Sequence, residues 1–95
     1  MRYLVMQYKN KLKHINIKNG TLLLAKHFNL TLSEQKVIYY IAAGLSVKNC
    51  SNLLDRNIKT ISTQKRSAYR KMAITTDVEL IHLMLTEFSV SIEIT

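Results

Sequence analysis

Residues 46–72 read SVKNCSNLLDRNIKTISTQKRSAYRKM, and the pattern of this stretch decides the fold. Ser46 suits the N-cap of a short helix running to about Leu54, with Val47, Cys50, Leu53 and Leu54 expected on its inner side. Asp55-Arg56-Asn57 makes a tight connection, and Asn57 can cap a second helix predicted over 58–72. At about 100° per residue, Ile61, Ala68 and Met72 share one face of that helix. Lys59, Thr63, Arg66 and Arg70 share the opposite face, with Ser62 and Ser67 at its margins. Two helices joined by a short turn, the second apolar inside and small-polar or basic outside, have the plan of a helix-turn-helix unit. In that unit the second helix enters the DNA major groove.

The outer face of 58–72 divides by chemistry. Ser62 and Thr63 are small enough to let the helix approach base edges, and Arg66 can donate two hydrogen bonds to a guanine. These three are the predicted base contacts. Lys59, Arg70 and Lys71 stand near the helix ends and suit phosphates, as does Thr60 in the first turn, where backbone amides point outward. Lys48 and Lys65 complete the predicted phosphate set. Lys65 falls beside the core stripe, so either its stem snorkels outward or the helix is rotated by a fraction of a turn.

Similar signals extend on both sides. Thr31-Leu32-Ser33-Glu34 fits a capping box, followed by a stripe of Val37, Ile38, Ile41 and Ala42, and Gly44 supplies a stop. Thr76 and Glu79 repeat the box spacing ahead of a helix predicted over 77–88. That helix carries Val78, Leu80, Ile81, Leu83, Met84, Leu85 and Phe88, more apolar surface than one inward stripe requires. A second subunit meeting Val78, Ile81 and Leu85 would use the excess; burial of all of it in the chain's own core is the alternative. The expected fold is all-α, with four helices at about 32–43, 46–54, 58–72 and 77–88. Residues 1–29 precede it as a basic arm and 89–95 follow as a tail. In the arm, Asn19-Gly20 is a strong turn pair and suggests a hairpin, although Leu22–Phe28 could equally start a helix.

Composition narrows the function. Ninety-five residues suffice for one core and not for two, and 47% apolar content with no proline and two glycines favours helices with short turns. The net charge of +8 points to a polyanionic partner. The charge is also segregated. Residues 56–71 hold Arg56, Lys59, Lys65, Arg66, Arg70 and Lys71 with no acid, residues 1–29 hold six cations with no acid, and from residue 77 onward only Asp77, Glu79, Glu87 and Glu93 are charged. The apolar run Val37–Ala43 is far shorter than a membrane span, and the N-terminus lacks the pattern of an export signal. A lone Cys50 and the scattered His14, His27 and His82 offer no disulfide, metal site or catalytic set, and no glycine-rich phosphate loop is present. The expectation is therefore a cytoplasmic, nucleoid-associated protein without cofactor, metal, membrane or small-molecule ligand.

Residues 30–81 resemble the C-terminal DNA-binding domain of the LuxR/NarL family of bacterial regulators. Leu30-Thr31-Leu32-Ser33-Glu34-Gln35-Lys36-Val37-Ile38 matches the family's opening Leu-Thr-x-x-Glu-x-x-Val-Leu. Ile41-Ala42-Ala43-Gly44-Leu45-Ser46-Val47-Lys48 matches its next block, and Lys59-Thr60-Ile61 its recognition-helix hallmark. Residues 55–68 are nearer still to the RcsB-like enterobacterial branch. Departures are Ser33 for a common Arg, Cys50 and Ser51 for Ile-Ala, Gln64 for a frequent His, and Ala73 for Gly. The resemblance implies sequence-specific binding of double-stranded DNA in transcriptional regulation, commonly as a homodimer paired through the last helix, here 77–88. It also implies a sensing or phosphoryl-receiving domain in full-length relatives. Residues 1–29 have no acid to form a receiver pocket, so the chain is either the effector part of a longer protein or a stand-alone regulator.

Two other classes compete. An RNA-binding or nonspecific nucleoid protein would use the same cations, but Tyr69 is the only ring in 56–71 to stack on a base. A helix-turn-helix interaction module, working mainly by pairing with another regulator, would use the apolar helix 77–88.

Overall fold

A computed structural model describes residues 17–85, which form five helices and, among these residues, no strand. They are α1 (Ile17–Phe28), α2 (Leu32–Ala42), α3 (Val47–Leu54), α4 (Ile58–Met72) and α5 (Asp77–Leu83). α2 is the hub and packs against all four others, most extensively against α4. Val37, Ile38 and Ile41 of α2 meet Leu24, Cys50, Ile61, Ala68, Met72, Leu80 and Met84 in one buried cluster. Each large apolar side chain buried there contributes roughly 1.5–3 kcal/mol.

The helix starts follow the capping chemistry read from sequence. Thr31 Oγ1 accepts from the Glu34 amide at 3.1 Å, and Glu34 Oε1 accepts from the Thr31 amide at 2.8 Å. Thr76 and Glu79 make the same reciprocal pair at 3.1 and 2.9 Å. Asn57 Oδ1 accepts from the Thr60 amide at 2.8 Å. Ser46 caps α3, and Asn49 completes a third box there. α2 ends as expected: Gly44 has φ 101°, its amide donates to Ile41, and the Leu45 amide reaches Tyr40.

Two sequence expectations are corrected. The Asn19-Gly20 hairpin does not form, because residues 17–28 are helical. Thr21 donates its hydroxyl to the Ile17 carbonyl at 2.6 Å. Gly20 lies under Met84, where an added Cβ would stand in van der Waals contact with the Met84 side chain at 3.5 Å. Gly20, Thr21, Leu24 and Ala25 are buried at helical spacing, so tertiary packing outweighs a local turn preference. Leu53 is not on the inner side of α3 and stays 60% exposed. The buried side of this short helix runs through Cys50 and the half-buried Val47 and Leu54, and Leu53 is turned about 90° from it. The part of the basic arm at 1–16, the end of the last helix at 86–88 and the tail at 89–95 lie outside the described residues.

Ala73 ends α4 in the left-handed conformation (φ 59°, ψ 40°), where its amide reaches Arg70 and the next amide reaches Tyr69. A Cβ in that conformation is strained by roughly 1–2 kcal/mol, part of which glycine's larger unfolded-state entropy offsets. Ala73→Gly is therefore expected to stabilise the fold by about 0.5–1 kcal/mol, read as a rise of a few degrees in Tm. A lower Tm for the variant would show that the conformation carries no strain.

Candidate nucleic-acid interface

The interface is built by α3, its turn and α4. Asp55 reverses the chain with φ 52° and ψ 49°, the Arg56 amide donates to Ser51 at 3.1 Å, and the Ser51 hydroxyl donates back to the Arg56 carbonyl. These bonds close the turn, and Asn57 starts α4 immediately after it. α4 then buries Ile61, Ala68, Tyr69 and Met72, leaving Lys59, Thr63, Arg66 and Arg70 exposed on the other side. The face division drawn from periodicity is the one observed.

Of the predicted base contacts, Thr63 and Arg66 are exposed and Ser62 is half-buried beside them. Of the predicted phosphate contacts, Lys48, Lys59 and Arg70 are exposed and make no ion pair among the described residues. Thr60 is half-buried, and its amide is already taken by Asn57. Two other cations are engaged inside the fold. Lys65 Nζ pairs with Asp77 at 2.9 Å and stands 5.3 Å from the centre of the Tyr69 ring, which explains its position beside the core stripe. Lys71 Nζ pairs with Glu34 at 2.8 Å and donates to the Asn29 carbonyl at 3.3 Å. A shallow recess of about 400 Å³ runs along the exposed side of α4, lined by Asn57, Lys59, Thr60, Thr63 and Gln64.

Two carboxylates fix the pose of α4, and sequence reading credited neither with this. Glu34 is 5% exposed; beyond its capping bond it accepts from Ser67 and Lys71, tying α2 to α4. Burial pushes its carboxyl up, but the hydrogen bonds from Lys71, Ser67 and the Thr31 amide prevail and hold it at about 2. Asp77 accepts from the Tyr69 hydroxyl at 2.6 Å and pairs with Lys65, and both hold its carboxyl below the usual range. Burial and the Asp77 carboxylate push the Tyr69 phenol well above its ordinary value. Glu34 and its α4 partners are more than thirty residues apart, as the separations of 33 and 37 show, so no local pattern announces them.

Leu80 of α5 and Met84 just beyond its end are buried in the core, while Val78 is 77% and Ile81 38% exposed and Leu85 is half-buried. Among the described residues no group of three His, Cys, Asp or Glu side chains comes together, and no helix is long and apolar enough to cross a membrane.

Residues 29–84 match the family model described as bacterial regulatory proteins, luxR family. The chain is 43% identical over 51 residues to an uncharacterized protein, YjjQ, of Escherichia coli O157:H7, covering 54% of this chain and 21% of that one. It is 36% identical over 55 residues to the transcriptional regulatory protein RcsB of Escherichia coli K12, covering 58% and 26%. RcsB of Salmonella typhimurium matches to the same extent. The chain thus spans only about a fifth to a quarter of the length of these relatives. No solved structure matches it.

Proposed function

The chain belongs to the LuxR family of bacterial regulatory proteins, and from that premise we propose that it binds double-stranded DNA at specific sequences to regulate transcription, with α4 in the major groove. One observation carries the reading. α4 presents Lys59, Thr63, Arg66 and Arg70 on a single exposed face that holds no acid, against a buried apolar face that fixes its orientation. A helix of this kind fits a groove about 12 Å wide. In this reading Ser62, Thr63 and Arg66 meet base edges, and Lys48, Lys59, Thr60 and Arg70 meet phosphates; Lys65 and Lys71 contribute positive potential while held by Asp77 and Glu34. The protein works in the cytoplasm on the nucleoid, with no catalytic step.

The exposed Val78 and Ile81, with Leu85, supply the face through which two copies pair, setting half-sites about one helical turn apart. The same face would serve a heterodimer with another regulator.

Enrichment from a randomised duplex library, followed by a salt titration of the winning site, tests this. A two-fold symmetric site is expected for the wild type, and Ile81→Asp should halve the molecular mass in solution while keeping the helical content. Binding without enrichment would remove the sequence-specific reading, and no binding would leave the interaction module. An Ile81→Asp variant of unchanged mass would exclude pairing through α5.

A further inference from the structure

The cations assigned above to DNA all stand on α3 or α4. Among the cations outside those helices that are exposed and without an ion pair among the described residues are Lys36 on α2 and Arg56 in the turn between α3 and α4. Together with Ser33, Leu54 and Gln64 they line a small recess of about 70 Å³. That is room for one small anionic group and not for a nucleotide. Gln64 also lines the longer recess beside Asn57, Lys59, Thr60 and Thr63. The two recesses therefore meet at Gln64 and form a strip along one flank of α4, carrying Lys36, Arg56 and Lys59. Neither recess is lined by an acid. Asp55, next to Arg56 in sequence, makes the turn and lines neither.

The other flank of α4 has the opposite character. There Asp77 takes the Nζ of Lys65, and Glu79 follows it in the first turn of α5. A helix with its side chains is about 10–12 Å across and nearly fills a major groove. The two sugar-phosphate strands then run along its flanks and meet whatever side chains stand there. On the Gln64 flank a phosphate meets cations that have no ion pair among the described residues; on the Lys65 flank the cation is already paired with Asp77.

We propose that Lys36 and Arg56 form a phosphate clamp for one DNA strand, with the Gln64 amide and the Ser33 hydroxyl donating neutral hydrogen bonds between them. The duplex is gripped on the α2 side of the recognition helix and left free on the α5 side. The clamp rests on the DNA-binding reading above and deepens it. It touches no base, so it fixes where α4 sits in the groove without contributing to sequence preference.

The full chain is titrated between 50 and 200 mM salt with two duplexes of equal length, the enriched site and a scrambled one. Lys36→Gln and Arg56→Gln should each lower the salt slope by about 0.9, shrinking the affinity lost over that range roughly 3.5-fold. The double variant should lose about twice that slope, on both duplexes alike, and unfold at the wild-type temperature because both side chains are exposed. A folded double variant with an unchanged slope overturns the clamp. So does a change in the ratio of enriched to scrambled affinity, since that would make these residues base readers. A wild-type chain without salt-dependent binding takes down the DNA-binding reading and the clamp together; a wild type that binds while the double variant matches it takes down the clamp alone.

Discussion

Glu34→Ala is expected to cost the fold about 2–3 kcal/mol and to lower Tm by roughly 10–20 °C. The carboxylate is buried and satisfies three donors, the Thr31 amide, the Ser67 hydroxyl and Lys71 Nζ. Removing it breaks the side-chain half of the capping box of α2, leaves Ser67 without its acceptor, and sends the ammonium of the partly exposed Lys71 back to water. A folded-state pKa near 2, against an ordinary 4.5, gives the same order of magnitude. The sign for acid follows from the depressed value: the stabilisation is complete above about pH 4.5 and is lost as pH falls toward 2. Urea unfolding at pH 7 and pH 3 checks both parts. Wild type should weaken between these values more than Glu34→Gln, which keeps the shape and an acceptor for the Thr31 amide but has no proton to take up. Parallel loss in the two proteins, or an Ala variant within about 0.5 kcal/mol of wild type at pH 7, would place the junction's strength elsewhere.

Glu34 also marks the boundary of what the sequence made legible. Its capping role sits in a four-residue pattern, Thr-x-x-Glu, and is readable; its grip on Ser67 and Lys71 joins residues far apart in the chain and is not. The same distinction runs through the interface. Periodicity separated Ile61 and Ala68 from Lys59 and Arg66 correctly, because which side of a helix is buried depends on spacing within the helix. Whether a cation on that helix is available depends on what packs beside it. Periodicity therefore could not distinguish Arg70, without an ion pair among the described residues, from Lys71, committed to Glu34. Lys65 looked misplaced on the wheel only because its partner Asp77 lies on the next helix. Asn19-Gly20 failed for the complementary reason: the pair does favour a turn, but burial of Leu24 and the fit of Met84 over Gly20 favour a helix more.

The second large effect concerns Arg66. Replacing it by Ala should weaken the preferred site by about 1–3 kcal/mol, a loss of up to roughly 150-fold, and relax preference at one base position. Arg66 is exposed in the middle of the outer face of α4, between Thr63 and Arg70, and makes no ion pair among the described residues. Its forked guanidinium can meet both acceptors of a guanine at once, geometry that a phosphate does not require. Lys59 and Arg70 lie toward the ends of the same face. Their replacement by Ala should weaken all sequences alike and lower the salt slope by about 0.9 each. The comparison is internal, because all three side chains are exposed on one helix and their removal should leave Tm nearly unchanged. Repeating the library selection with each variant distinguishes the two roles. Arg66→Ala should enrich a site degenerate at one position in each half, while Lys59→Ala and Arg70→Ala should recover the wild-type site at lower yield. If Arg66→Ala recovers the wild-type site too, Arg66 is a phosphate contact, and base reading passes to the hydroxyls of Ser62 and Thr63.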